Sequence, residues 1–245
     1  MKNTAIIIPT RLAAKRFPNK PLAKINNIPM ILHVLNKAKE SKIGEVFVAT
    51  PDKKIFEIVN NNGGNAILTE KNHASGSDRV YEAYSKKLKN NVDLIINLQG
   101  DMPNIKPQTI SKLEKLMINN DCDIGTLASP IKDDSEINNT NVVKVHIDQA
   151  LKDDSFHEAK DFFRKKKDFI IEKTYHHLGL YIFTKDALTR YVKLARSKLE
   201  IERNLEQMRA MENNMVVKVG LIRSMPLSVD TEEDLKKIKK EMEKL

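Results

Sequence analysis

Short apolar runs alternate with amphipathic stretches along most of this chain. Short, largely apolar segments of four to seven residues predict strands over Ala5–Ile8, Glu45–Ala49, Ala66–Thr69, Leu94–Leu98, Ile124–Ala128, Val142–Ile147, Leu178–Phe183 and Val216–Ile222. Stretches with helical spacing predict helices over Met30–Ser41, Lys53–Asn61, Ser77–Leu88, Gln108–Asn119, Asp186–Arg196, Glu200–Asn213 and Glu232–Leu245. In the third of these, Val80, Tyr81, Tyr84 and Leu88 form one stripe, as core packing requires. Strand followed by helix, four times over, predicts an α/β fold with a mixed, mainly parallel sheet flanked by helices. After about residue 122 the order becomes irregular. Asp148–Thr174 has weak periodicity and a basic run at Arg164–Lys167, and is expected to leave the core as a lid, a dimerisation arm or a surface loop. With 245 residues the whole chain, 1–245, can form a single domain carrying that excursion.

Composition removes several classes of function. A net charge of +9 suggests nucleic acid, but 33 of the 42 basic residues are lysine, and base-edge recognition leans on arginine. Abundant asparagine beside lysine is what an AT-rich genome favours, and no zinc-finger, helix-turn-helix or RNA-binding aromatic pattern is present, so no nucleic acid partner is expected. No apolar run is long enough for a membrane helix, and the first one, stopped by Pro9, is too short for a secretory leader. A lone cysteine, Cys122, cannot build a disulfide framework and suits a cytoplasmic location.

The candidate chemistry gathers where strands end. The first strand empties into a loop with four cations: Arg11, Lys15, Arg16 and Lys20. In open α/β sheets that edge is where ligands bind, and a polyphosphate suits such a loop; a solvated basic loop is the plainer reading. Neither G-x-x-x-x-G-K-[ST] nor G-x-G-x-x-G follows the strand, so side-chain cations and loop amides would have to hold any phosphate. LIINLQGD ends a strand in Gln99, Gly100 and Asp101; the acid either joins a magnesium site or begins the turn before Pro103. Asp230, in SVDTEED, offers a second carboxylate, although D-x-x-E also reads as a helix cap with Glu233. Ser75, Gly76, Ser77 and Arg79 open a helix and could read a base or ribose, or Ser77 could simply cap it. His176 and His177 are adjacent, so on a strand they face opposite ways and make a poor metal pair. Glu206 and Gln207 fall on a predicted helix, ordinarily as surface residues.

In order, the segments IIIPTRLAAKRFPNKPL, SGSDR, NLQGDMP, HLGLY with LEQMR, and VDTEEDL resemble the sugar-acid cytidylyltransferases, most closely the CMP-Kdo synthetase (3-deoxy-manno-octulosonate cytidylyltransferase) family. N-x-V-K-V at Asn141–Val145 and IPMILHV at 28–34 extend the match to nearly the whole chain. The resemblance implies a nucleotide-diphospho-sugar transferase (GT-A/Rossmann-like) fold, a homodimer, and CMP transfer from CTP to the anomeric hydroxyl of Kdo with magnesium, for lipopolysaccharide biosynthesis. It implies that Arg11, Arg16 and Lys20 hold the triphosphate, that Ser75, Gly76, Ser77 and Arg79 shape the cytidine pocket with Gln99 nearby, and that Asp101 and Asp230 bind the metal. Arg11, Lys20, Asp101 and Asp230 would carry the catalysis. Gln99, His177, Tyr181, Glu206 and Gln207 would contact the sugar acid.

Two departures qualify the match. Ala14-Lys15-Arg16 stands where the family usually has Ser-Thr-Arg. After N-x-V-K-V the family shows Tyr-Phe-Ser-Arg, whose arginine faces the sugar carboxylate; ungapped counting puts Ser155-Phe156-His157-Glu158 there, and re-threading the loop would offer Arg164 or another cation of the 164–167 run instead. The competing functions are the same transfer to 8-amino-Kdo or a nonulosonic (sialic) acid, and a nucleotide-binding homologue without turnover.

Overall fold

The computed structural model describes residues 2–13, 16–89, 91–165 and 170–243. Ala14 and Lys15 of the first loop, Lys166 and Lys167 of the basic run, and the last two residues of the final predicted helix lie outside the described residues. In chain order the elements are β1 Thr4–Pro9, β2 Lys24–Ile25, β3 Ile28–Pro29, α1 Met30–Glu40, β4 Gly44–Thr50, α2 Lys53–Asn61, β5 Asn65–Leu68, α3 Gly76–Lys87, β6 Leu94–Asn97 and α4 Pro107–Ile118. They continue with β7 Ile124–Pro130, α5 Asp134–Asn138, β8 Lys144–Ile147, β9 Phe156–Phe163, β10 Thr174–Thr184, α6 Lys185–Tyr191, α7 Lys198–Arg203, α8 Gln207–Glu212, β11 Val217–Leu221 and α9 Glu232–Met242. They divide into two compact units: Met1–Ser111 with Pro226–Leu245, and Lys112–Met225.

The first unit is the regular one. Its strands run β5-β4-β1-β6, every pair parallel, with Ile6 opposite Val46 on one side and Ile96 on the other. All six residues of β1 are buried, as expected for the middle of a parallel sheet covered on both faces. A hairpin too short to show any periodicity, β2–β3, turns through Asn26 and Asn27, both at positive φ, the demand of a tight two-residue turn. The chain end returns to this hairpin: Val229 and Ile238 pack with Ile25 and Met30. That packing places the segment before α9, and with it Asp230.

The second unit is mixed. Its strands run β10-β7-β11-β9-β8, antiparallel except for β7 with β11, and β8 also pairs with β10, so the order returns on itself. The stretch 148–174, expected as an excursion, contains β9, hydrogen-bonded on both edges, and the first residue of β10. Its periodicity is weak because a register irregularity between β8 and β9 interrupts the alternation. The long helix expected over 200–213 is two short ones. Asn204 turns left-handed at φ 52° and closes α7, and α8 starts again at Gln207. Among the described residues no helix is long and apolar enough to cross a membrane.

Candidate active site

In the first unit the cationic loop closes on itself. The Leu12 amide donates to Asp52 Oδ2 at 2.8 Å and the Asn19 amide to Leu12 O at 3.1 Å, while Arg11 and Arg16 stay exposed. Lys20 turns inward. Its ammonium donates to Asp101 Oδ2 at 3.0 Å and Val229 O at 2.8 Å, and lies 3.5 Å from Asp230 Oδ1. Arg16 reaches the other oxygen of Asp230 at 3.4 Å. Three segments remote in sequence thus converge on one cluster of charge. The Val229 amide donates to Asp101 O at 2.9 Å, which ties the segment carrying Asp230 to the end of β6.

Asp230 does not cap the last helix. Thr231 is the N-cap, and Asp234 completes the capping box three residues on, so the pattern read from the sequence is shifted by one. This frees the Asp230 carboxylate to face Lys20 and Arg16. A magnesium ion fits what remains. Asp101 Oδ1 is buried and has no hydrogen-bond partner, a costly arrangement for a carboxylate oxygen unless a cation meets it. Lys20 and Arg16 together balance the charges of Asp101 and Asp230 but leave Asp101 Oδ1 unmet. A hard divalent ion needs only one or two carboxylates when phosphate oxygens and water complete its shell. Among the described residues no group of three or more His, Cys, Asp or Glu could hold a metal by themselves.

The start of α3 is also not capped as expected. Ser75, not Ser77, is the N-cap, paired reciprocally with Asp78; the S-x-x-D signature was present in the sequence. Ser77 is buried and accepts from Asn97 Nδ2 at 3.3 Å, and Asn97 Oδ1 accepts from Gln99 Nε2 at 3.0 Å. Arg79 is buried and does not present a free guanidinium. It donates to the Thr69 hydroxyl, to Glu70 O at 2.8 Å and to Lys71 O at 3.3 Å, holding the loop after β5. Burial, and then the neighbouring Arg11, lower its pKa. Glu82 grips the same loop through the Glu70 amide and His73. A Cβ at Gly100 would stand 3.5 Å from Ile31, Ile8 and Pro9, an ordinary contact, so the fold does not itself demand glycine there.

In the second unit β10 carries His177 and Tyr181 across a bulge. Leu178 pairs with Leu127 and Tyr181 with Thr126, so two extra residues of β10 stand against one step of β7. Residues four apart on a regular strand lie about 13 Å apart. Here the two rings are 5.5 Å apart, with Phe162 edge-on to His177 at 5.0 Å. His177 is buried, and burial, then neighbouring His176, lowers its pKa to about 3, so the imidazole is neutral at ordinary pH. His176 parts from it as the alternation of a strand requires, bonding Glu136 at 2.8 Å. Tyr181 is held as the phenol: burial, then the charge of Glu206, pushes its pKa well above the ordinary value. Glu206 is exposed at the α7–α8 corner and Gln207 is buried. That corner rests on a buried pair, Arg209 with Glu200, joined through Nε at 2.8 Å and Nη2 at 2.7 Å. Arg209 also stacks on Tyr191, whose hydroxyl donates to Glu206 O at 2.9 Å.

The register of β9 changes the reading of the missing arginine. Glu158 is mid-strand, opposite Lys218 of β11, and the strand ends at Phe162-Phe163 with Arg164 the next residue. Arg164 donates to Thr140 O at 3.1 Å and Asn141 O at 3.2 Å, beside the N-x-V-K-V segment, and buried Lys144 of that segment donates back to Arg164 O at 2.7 Å. An arginine therefore directly follows the aromatic pair that ends this strand, later than ungapped counting placed it.

Residues 5–221 match the family model described as Cytidylyltransferase. A 3-deoxy-manno-octulosonate cytidylyltransferase of Brucella anthropi is 42% identical over 233 residues, which cover 95% of this chain and 93% of that protein. The solved structure of a CMP:2-keto-3-deoxy-manno-octonic acid synthetase complexed with CTP superposes with a TM-score of 0.90 at 31% identity, covering 99% of each chain. A cytidylyltransferase structure from Leptospira borgpetersenii, 19% identical with a TM-score of 0.66 over all of this chain and 88% of that one, shares the fold. With its strand-end carboxylates, its bulged His-x-Gly-x-Tyr strand and relatives matched nearly end to end, this chain belongs to the CMP-Kdo synthetase (3-deoxy-manno-octulosonate cytidylyltransferase) family.

Proposed function

We propose that this protein transfers CMP from CTP to the anomeric hydroxyl of Kdo and releases pyrophosphate, a step toward lipopolysaccharide. The observation that carries the reading is the Lys20 ammonium held on Asp101 and Asp230, in a chain 42% identical to an enzyme of that name. The sugar hydroxyl attacks the α-phosphorus and loses its proton; the bond from that phosphorus to the β-phosphate oxygen breaks. Such a transfer needs alignment and charge neutralisation more than covalent help. Arg11, Arg16 and Lys20 bind the triphosphate, while Ser75, Gly76, Ser77 and Arg79, with the loop that Arg79 pins, shape the cytidine pocket. Asp101 and Asp230 would hold a magnesium ion, a reading supported by the orphaned oxygen of Asp101. Bound there, magnesium would neutralise phosphate charge.

Gln99, His177, Tyr181, Glu206 and Gln207 contact the sugar acid. Arg164 supplies the cation for its carboxylate, supported by its place at the end of β9. The protein works in the cytoplasm as a homodimer, as the family resemblance implies, and as a single cytidylyltransferase domain. The test is pyrophosphate release from CTP and magnesium with Kdo, 8-amino-Kdo and a sialic acid offered in parallel. Turnover with Kdo is expected. Turnover with only another acid would reassign the acceptor, and CTP binding without turnover on any acid would overturn the enzymatic reading.

A further inference from the structure

One buried hydroxyl controls what His177 can offer. Thr126 Oγ1 lies 2.9 Å from His177 Nε2, 3.0 Å from Leu178 O and 2.8 Å from Leu180 O, inside the bulge of β10. The hydroxyl has a single proton, and the two carbonyls can only accept. If it donated to His177, both carbonyl oxygens would face its lone pairs with no proton between. Donating to a carbonyl, or sharing the proton between the two, relieves most of that conflict and lets Nε2–H donate to Oγ1. A neutral imidazole carries one proton, so Nδ1 is then an acceptor. Nδ1 of His177 makes no hydrogen bond among the described residues, and neither does the Tyr181 hydroxyl, whose ring is 5.5 Å away.

We infer that Thr126 is a positioning residue of the sugar-acid site: it sets His177 in the Nε2–H form, so that Nδ1 accepts from a hydroxyl of the sugar and does not bind its carboxylate. The inference rests on the reading that His177 meets the acceptor. A bare Nδ1 lone pair attracts a hydroxyl proton and repels a carboxylate oxygen, so the histidine reads a sugar hydroxyl while a cation takes the acid group. The same hydroxyl that ties the bulge together, bringing His177 and Tyr181 side by side, therefore also decides the polarity of the contact.

The experiment combines a spectroscopic and a kinetic readout on the full chain. Nitrogen-15 labelled histidine, with the His177 signals identified by their loss in His177→Gln, should show a protonated Nε2 and a bare Nδ1 at neutral pH. In Thr126→Val that pattern should be lost or mixed with the other tautomer, and KM for Kdo should rise roughly tenfold, the worth of one hydrogen bond, with KM for CTP unchanged. Thr126→Ser, which keeps the hydroxyl, should restore both and remains informative should the valine variant not fold. A protonated Nδ1 or an imidazolium in active wild-type enzyme would overturn the role of Thr126, as would a serine variant with an altered tautomer. Absence of turnover with Kdo in the wild type is a separate failure: it would overturn the acceptor assignment even where the tautomer is as expected.

Discussion

The candidate residues of the first unit are charged and partly open to solvent, whereas those of the second are mostly neutral and packed. Lys20, Asp101, Asp230 and Arg16 form a balanced cluster at the end of parallel strands. His177, Tyr181, Thr126 and Phe162 form an aromatic and hydroxyl cluster on a bulged antiparallel strand, with a histidine that stays uncharged. The difference matches two recognition problems. A triphosphate is bound by opposite charge at several points, and its handling tolerates solvent. A sugar is recognised by the direction of individual hydrogen bonds, which demands fixed donors and acceptors with their water stripped away.

Variants can separate the two regions, and the largest effect should come from the charged one. Asp101→Asn should lower kcat at least roughly a thousandfold, because charge stabilisation at a transferring phosphoryl group is worth several kcal/mol. Its melting temperature should fall only modestly, because the asparagine oxygen can still accept from Lys20 and only the charge of that ion pair is lost. A folded Asp101→Asn enzyme with wild-type turnover would remove the metal role. In the second unit, Glu200→Gln leaves the buried Arg209 guanidinium without its countercharge and should cost about 3–5 kcal/mol in chemical denaturation. Burial opposes the Glu200 charge, but hydrogen bonds from Arg209 and Arg196 outweigh it and hold its pKa below the usual range, so the pair is ionised at neutral pH.

Arg164→Ala should raise KM for Kdo by about 10–100-fold, the value of a charge-assisted hydrogen bond, and leave KM for CTP unchanged. An equal rise for both substrates would break the division of labour. The smallest effect is a slope. His177 has a folded pKa of about 3 against an unfolded value near 6.5, so the unfolded chain binds the extra proton first. Its contribution is complete above the unfolded value and drains away as pH falls toward the folded one, at about 1.4 kcal/mol per pH unit. Denaturation of wild type and His177→Gln from pH 7 to 4 should show a shallower fall in the variant.

The two regions also differ in how far they can be read from the chain. β1 and the cations after it are legible because a buried parallel strand is a continuous apolar run and a phosphate loop is a visible burst of charge. Asp101 is visible as an acid just past a strand and Asp230 as one before the last helix, but the cap of α9 is off by one residue, because D-x-x-E and T-x-x-D overlap in DTEED and only backbone conformation decides between them. Thr126 is invisible in the sequence: a threonine inside an apolar strand looks like core, and its importance comes from a bulge on another strand. β9 escaped for a related reason, since a register irregularity spoils the alternation by which strands are recognised. That Arg79 anchors the loop after β5 is equally illegible, because it depends on the side chain's length letting it reach three oxygens of residues 69–71 from inside α3.

Phosphorus-31 NMR of CTP, magnesium and Kdo with the wild-type protein tests the central claim most directly, because it shows which phosphorus is attacked. One new phosphodiester resonance and one pyrophosphate per CTP consumed are expected, and neither should form when Kdo is left out. Formation of CDP with a phosphorylated sugar, or CTP that persists unchanged while Kdo is present, would contradict it.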